Sequence, residues 1–304
     1  MTNPSRANAR AGDARGQAPP PLNLDAVREA WVLHRGALGD SVLTWPVLRH
    51  LVKSGVVTTL AADRAKAELA AACVGVHAAD AESPDMLAIW RPEGAVRGLP
   101  GVDLVLDYEH AASPLRDARL RRMFPRASVV PMPQPRGGRS LRAFVDAHPL
   151  ARVDARANAD GPVVLHVGAG SEAKRWPMER WCDLHERLCD DGKGVVVIAG
   201  EVERERFSRT DTGFFQRMGG RWIDTLPALR DLIAGARALV GNDSGPTHLA
   251  AQLGVPTTAI FGATDAREWA PVGGHVRVVG RMGDRPSVDE VQRAVLGSLR
   301  LDPV

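Results

Sequence analysis

The sequence predicts an α/β protein made of two Rossmann-like halves facing each other across a cleft. Three observations predict it. Short apolar runs alternate with segments of helical period along most of the 304 residues, as parallel sheets covered by helices require. The pattern strand, glycine-bearing turn, helix occurs at residues 30–52 and again at 162–189. In the second half, polar turns at 168–175, 200–203, 241–248 and 262–265 each follow a strand-like run. The carboxyl ends of parallel strands share one edge of a sheet, so these turns converge on one crevice.

Length and composition suit a soluble protein with two real cores. A formal net charge of only +3 does not suit a nucleic-acid binder, and no nucleic-acid module is present. Cys73, Cys182 and Cys189 are odd in number and irregularly spaced. They form no disulfide framework or zinc motif and are expected as buried free thiols in a reducing cytoplasm. No apolar run reaches the length of a membrane span, and the N-terminus lacks the apolar core of a secretory signal.

Taken in order, residues 1–23 are rich in Ala, Arg, Asn, Gly and Pro and are expected as a disordered tail. The first domain is placed at 25–155. Its first strand is Ala30–Arg35, its turn Gly36–Ser41, and its helix Val42–Val52, which Pro46 should kink or delay. Asp40 either caps that helix or presents a carboxylate into the cleft as a general base. A strand at Val56–Ala61 and an Ala-rich helix at Asp63–Cys73 follow. Residues 74–100 show no clear element, and Val102–Asp107 reads as a strand. His110 stands beyond its carboxyl end, where α/β sheets hold ligands. The segment Leu115–Arg126 carries Arg116, Arg119, Arg121, Arg122 and Arg126. It is either a solvated helix face or a site for an acidic substrate or anionic membrane surface. Val130–Arg139 reads as a loop, and 140–160 as a helix and linker.

The second domain is placed at 160–304. Its strands are expected at 162–167, 194–200, 222–224, 236–240, 257–262 and 276–279. Its helices are expected at Met178–Cys189, Leu226–Ala236, after Ser244, and at Ser287–Leu299, where Ser287 and Glu290 have capping-box spacing. His166, in an apolar strand, reads as a core histidine, and Trp176 and Trp181 as packing residues. The stretch Gly241-Asn242-Asp243-Ser244-Gly245-Pro246-Thr247-His248 carries the strongest chemical signal. Ser244 or Gly245 caps a helix whose first position is Pro246, where a missing N–H costs nothing. Such a helix start points free N–H groups at an anion, and Gly245 admits a phosphate closely. Lys174, the helix start at 244–248 and Thr264 would then surround a phosphorylated ligand. Glu203 would meet ribose hydroxyls, and Asp40 would face them from the first half.

Three segments carry a family resemblance: Gly36-Ala37-Leu38-Gly39-Asp40-Ser41 with Thr44 and Pro46; His166-Val167-Gly168-Ala169-Gly170-Ser171 with Lys174-Arg175-Trp176-Pro177 and Trp181; and Gly241 to Ala250 with Gly262-Ala263-Thr264-Asp265. In order and spacing the chain resembles glycosyltransferase family 9, the ADP-heptose:lipopolysaccharide heptosyltransferases, which have the GT-B fold. The resemblance implies inverting, metal-independent transfer of a sugar, with heptose as the implied sugar, from an ADP-sugar donor to a lipopolysaccharide-core or other surface-glycan acceptor. The donor is a substrate, and no cofactor or metal is implied. Asp40 matches the base on the acceptor hydroxyl and Lys174 the cation on the donor phosphates. Asp243 matches the acid near the sugar, and Ser244, Gly245, Pro246, Thr247 and His248 match the diphosphate-binding helix start. Thr264 matches the turn lining the nucleotide site, and Glu203, with Glu201 and Glu205 competing for the same alignment, matches a ribose contact. Arg116, Arg119 and His110 are the acceptor-side candidates. The first domain is shorter than is usual in the family, and Tyr108-Glu109-His110 replaces a common Gln-Gly-like pair. The alternative is a nucleotide-sugar-binding module that has lost transfer. The implied location is the cytoplasm, with peripheral contact at the anionic inner membrane.

Overall fold

The structure is a computed structural model that describes residues 23–89, 97–108, 114–132, 150, 153–156, 158–273 and 275–300. The expected tail, His110 and most of the loop and helix expected over 130–160 lie outside the described residues.

Two parallel sheets organise the chain. The first contains β1 (Glu29–Leu33), β2 (Val57–Ala62), β3 (His77–Asp80), β4 (Leu104–Asp107) and β5 (Ser128–Pro131), in the order β3-β2-β1-β4-β5. The second contains β6 (Val163–His166), β7 (Val195–Gly200), β8 (Arg221–Ile223), β9 (Ala238–Asn242), β10 (Thr257–Ile260) and β11 (Val276–Val279), in the order β11-β10-β9-β6-β7-β8. Chain direction across the sheet reverses between β1 and β4, and again between β6 and β9. A crevice opens outside the carboxyl ends at such switch points. The turn before Asp40 leaves β1, and the turns at 167–171 and 243–244 leave β6 and β9. Strand order therefore puts the glycine-bearing turns where a ligand can sit.

The central strands β4, β6, β9 and β10 are buried along their whole length, as continuous apolar runs covered on both faces should be. The edge strands β3 and β5 were not expected from the sequence. Both are largely exposed or half-buried and lack a continuous apolar run. β5 includes Val130 and Pro131, where a loop was expected to begin.

In the first half the helices are α1 (Leu38–Leu43), α2 (Trp45–Lys53), α3 (Arg64–Val74), α4 (Pro84–Leu87) and α5 (Pro114–Met123). Pro46 does not kink one helix. It falls in the first turn of α2, after a break at Thr44 whose hydroxyl donates to the Ser41 carbonyl at 2.7 Å. α1 begins at Leu38, four residues before the expected Val42, so Asp40 lies within its first turn and not at its cap. Asp63 caps α3, accepting from the Ala65 amide at 3.1 Å.

In the second half the helices are α6 (Met178–Asp190), α7 (Glu201–Arg206), α8 (Arg209–Arg217), α9 (Leu226–Ala234), α10 (Gly245–Gln252), α11 (Ala266–Trp269) and α12 (Val288–Ser298). The capping box of α12 is present: Glu290 Oε2 accepts from the Ser287 amide at 2.8 Å. α8 was not expected, because only Phe215 along it is fully buried. Trp176 and Trp181 pack edge to face at 5.1 Å inside the second half. Of the three free cysteines only Cys182 is buried; Cys73 is half-buried and Cys189 exposed, so the expectation of buried thiols holds for one.

One apolar cluster crosses between the halves. It joins Val42, Leu48 and Leu69 to Leu229, Ile233 and Leu249. Arg49 bridges the same junction, donating from Nη2 to the Gln252 carbonyl at 2.9 Å and from Nη1 to its side-chain oxygen.

α5 corrects a further expectation. Arg116 and Arg119 do not belong to a solvated face or project to meet an acidic ligand; both are buried. Arg116 grips Asp107 at the end of β4, with Nη2 to Oδ1 at 2.7 Å and Nη1 to Oδ2, and Arg119 donates to the Ala88 carbonyl. For Arg116 the cause is Asp107, a buried carboxylate that needs a cation. Breaking such a pair from one side leaves a buried charge. Arg116→Met is expected to lower unfolding free energy by about 3 kcal/mol in chemical denaturation. Arg116→Met with Asp107→Leu should recover most of that loss. Arg121, Arg122 and Arg126 are exposed. No described helix is long and apolar enough to cross a membrane.

Candidate functional site

The site is built where β6, β9 and β10 end beside α1. β9 continues through Gly241 to Asn242, two residues beyond the expected end at Val240. Asn242 is fully buried and ties three segments together. Its side-chain oxygen accepts from the Trp176 amide at 2.9 Å, and its Nδ2 donates to the carbonyls of Val167 at 3.1 Å and Gly168 at 2.9 Å. The turns after β6 and β9 are thereby held against each other. The sequence offered no signal for this role beyond the polarity of Asn242 at the end of an apolar strand.

Asp243 follows and is the hub of the site. Lys174, at the end of a one-turn 3-10 helix (Glu172–Lys174), places Nζ 2.8 Å from its Oδ2. Thr264 donates to the same oxygen at 2.6 Å. His248 Nε2 lies 3.8 Å from Oδ1. Burial alone would raise the Asp243 carboxyl; the neighbouring His248, Lys174 and Thr264 outweigh it and hold the group near 2. Lys174 also lies over the Trp269 ring, 5.4 Å from its centroid.

A depressed carboxyl contributes stability that is present above its unfolded value and lost as pH falls through the folded one. Between the ordinary value of 3.8 and the folded value of about 2, that contribution is about 2 kcal/mol. Unfolding free energy is expected to drop across pH 4 to 2, and Asp243→Asn should remove this part of the slope. An identical slope in the variant would contradict the assignment.

α10 starts at Gly245, with Ser244 as the cap residue and Pro246 one position later than expected. The amides of Thr247 and His248 both donate to the Ser244 carbonyl. The amides of Ser244 and Gly245 have no hydrogen-bond partner among the described residues. Two N–H groups and the positive end of the helix are therefore available to an anion. α1 packs directly against this end. A β-carbon on Gly39 would lie 3.2 Å from His248 Cδ2, and one on Gly245 would lie 2.8 Å from Leu38 Cβ. Glycine at both positions allows the approach, and it brings the Asp40 helix beside the helix end. Asp40 is half-buried, and its carboxylate has no hydrogen bond or ion pair among the described residues.

From this junction a cleft of about 360 Å³ runs between the halves, within the size range of small-molecule sites. Its floor is Ala37, Leu38 and Gly39 of the first half and Ser244, Gly245 and Pro246 of the second. Its far end is apolar, with Val202, Ile223, Leu226 and Leu229. Glu203 is part of the wall and is buried. One of its oxygens accepts from the Gly200 amide at 3.0 Å, and burial pushes its carboxyl upward. Its first engagement is thus with its own helix start. Lys174, Asp243 and Thr264 do not line the cleft.

The structure thus brings Lys174, Asp243, Thr264 and His248 into contact, sets Ser244 to Thr247 beside them, and lines the adjoining cleft with Glu203. Asp40 approaches from the first half. Arg116 and Arg119 are committed elsewhere, and His110 is outside the described residues. His166 is buried, as expected of a core residue, and it also forms part of the cleft wall.

Comparison with known proteins fits this arrangement. The chain is 37% identical over 148 residues to lipopolysaccharide heptosyltransferase 1 of Pseudomonas aeruginosa, a stretch covering 48% of this chain and 39% of that protein's length. Its fold is similar to that of the E. coli heptosyltransferase WaaC, solved with ADP, with a TM-score of 0.61, 15% identity, and 89% and 99% of the two chains covered. A family 9 glycosyl transferase from Veillonella parvula gives a TM-score of 0.65 at 15% identity, with 90% and 97% covered. Both likenesses show the fold, GT-B. The model of glycosyltransferase family 9 (heptosyltransferase) matches residues 118–295, more than half of the chain, and the chain belongs to that family.

Proposed function

We propose that this protein transfers a heptose-type sugar from an ADP-sugar to a lipopolysaccharide-core or related surface glycan, with inversion and without a metal. The observation that carries this is the junction of α1 with the α10 start. Asp40, whose carboxylate has no partner among the described residues, lies on the helix that packs against the two open amides of the α10 start, and both border a nucleotide-sized cleft.

Residues 25–155 then act as the acceptor-side domain and 160–304 as the donor-side domain. The nucleoside occupies the cleft and the diphosphate meets the α10 start and Lys174. In the reaction Asp40 takes the proton of the acceptor hydroxyl. The acceptor oxygen forms a bond to the anomeric carbon of the sugar. The bond from that carbon to the β-phosphate oxygen breaks, and its electron pair leaves with ADP. Negative charge grows on the β-phosphate, where Lys174 and the helix dipole stabilise it. A single displacement at one carbon inverts its configuration. Asp243, held ionised, orients Lys174.

Calorimetric titration with ADP, GDP and UDP tests the donor half. Selective ADP binding is expected; a folded protein that binds none of the three would end this reading.

We place the enzyme at the cytoplasmic face of the inner membrane, with Arg121 and Arg122 on α5 and Arg126 just beyond it meeting anionic lipid or an acidic acceptor. Reversing these three charges should weaken binding to vesicles containing anionic lipid and spare ADP binding. Unchanged vesicle binding would sink the placement.

A further inference from the structure

His166 is the last residue of β6, paired in register with Gly241 of β9, and so sits at the switch point itself. It is buried, yet it forms part of the cleft wall. Its Nδ1 lies 3.3 Å from Ser244 Oγ. Ser244 Oγ lies 3.1 Å from Thr247 Oγ1, and Thr247 Oγ1 donates to the Asn242 carbonyl at 2.6 Å. His166 Nε2 has no protein partner among the described residues and is not among the fully enclosed polar atoms.

The hydrogens of this chain run in one direction. Thr247 has one hydroxyl hydrogen and gives it to the Asn242 carbonyl, a group that can only accept. Thr247 Oγ1 can therefore only accept from Ser244. Ser244 has one hydrogen and gives it to Thr247, so Ser244 Oγ accepts from the histidine. The opposite assignment, Ser244 donating to His166, would leave two hydroxyl oxygens 3.1 Å apart with no hydrogen between them in a buried place. The consistent chain is His166 Nδ1–H to Ser244, Ser244 to Thr247, Thr247 to Asn242.

Resting on the donor-binding reading above, we propose that His166 recognises a ribose hydroxyl of the nucleotide, with Nε2 as the acceptor and Ser244 and Thr247 as the residues that set its tautomer. A bare ring nitrogen repels phosphate oxygens and accepts from an O–H. Phosphate belongs to the open amides of Ser244 and Gly245 nearby. The sugar side also fits poorly, because Lys174, Asp243 and Thr264 do not line the cleft that His166 lines. Burial lowers the imidazole to about 4, so the ring is neutral at working pH and carries a single hydrogen.

Two measurements test this. Long-range proton–nitrogen spectra of the full-length protein labelled with 15N, at neutral pH, read the tautomer without any ligand or variant. Protonation at Nδ1 is expected; protonation at Nε2 overturns the proposal. Thr247→Val should release the Ser244 hydrogen toward His166 and move the ring proton to Nε2, and an unmoved proton overturns it. Calorimetry with ADP, 2′-deoxy-ADP and 3′-deoxy-ADP reads the contact. His166→Phe, checked for a cooperative unfolding transition, should bind ADP about fivefold more weakly. One of the deoxy analogues should lose about as much against wild type and lose little more against the variant. Unchanged ADP affinity in the variant, or full losses for both analogues in it, overturns the contact. A wild-type protein that binds no ADP but shows Nδ1–H would count against the donor reading and not against the tautomer.

Discussion

Asp40→Asn is expected to lower sugar transfer about a thousandfold, the upper-middle range for removal of a general base, while ADP affinity changes less than about twofold. The substitution keeps size and shape, so α1 should keep its packing against α10. What it removes is the ability to take a proton. No hydrogen bond or ion pair to the Asp40 carboxylate exists among the described residues, so no structural interaction is lost with it. Its neighbour Gly39 lies against His248 and Gly245, which puts Asp40 beside the amino end of α10. The two effects therefore separate. Acceptor-dependent ADP release reports the first, and calorimetric ADP titration reports the second. A loss of transfer below about tenfold would remove Asp40 from the role of base. An equal loss of ADP affinity would make it a structural residue of the junction.

Lys174→Met is expected to weaken ADP binding about 10- to 100-fold, the range for a charge-assisted hydrogen bond to an ionised group. The ion pair with Asp243 does not exhaust the lysine. An ammonium has three donors, and the contact with Asp243 uses one. The lysine is partly exposed while the aspartate is buried, with side-chain exposures of 27% and 5%. The aspartate thus anchors the lysine and leaves its other donors toward solvent and ligand. Loss of the lysine also removes one of the groups holding Asp243 ionised, so some stability should fall as well. Lys174→Arg keeps the charge and separates the two effects. Stability should return with arginine, whereas the bulkier guanidinium restores affinity only in part. ADP affinity in Lys174→Met within about twofold of wild type would place the diphosphate elsewhere. Transfer assays on the same variant should show the larger loss, because charge on the β-phosphate grows as the bond breaks.

Much of this molecule was legible residue by residue. The second strand–turn–helix opening, the long central strands and the capping box of Ser287 with Glu290 stand within a residue or two of their expected places, while the helix of the first opening starts four residues early and breaks at Thr44. They depend on local period and on cap chemistry, both written in adjacent residues. The helix start at Ser244–Gly245 was legible for the same reason. What failed locally also has a physical cause. β3 and β5 are edge strands with little burial, so they carry little of the apolar pattern that marks a strand. α1 starts early because contact with α10 supports Leu38 and Gly39, although no side chain caps its first turn.

The sequence by itself determined the α/β class, the polar turns at strand ends and the residue types available for binding an anion and moving a proton. Only the tertiary structure decided how those residues are shared out. Strand order, which has no local signature, put β6 beside β9. That adjacency made Asn242 a buried tie, turned Lys174, Thr264 and His248 toward one aspartate, and set His166 against Ser244, 78 residues away in the chain. The same packing withdrew Arg116 and Arg119 from solvent: Arg116 because Asp107 is buried beside it and a buried carboxylate needs a cation, and Arg119 into a bond to the Ala88 carbonyl.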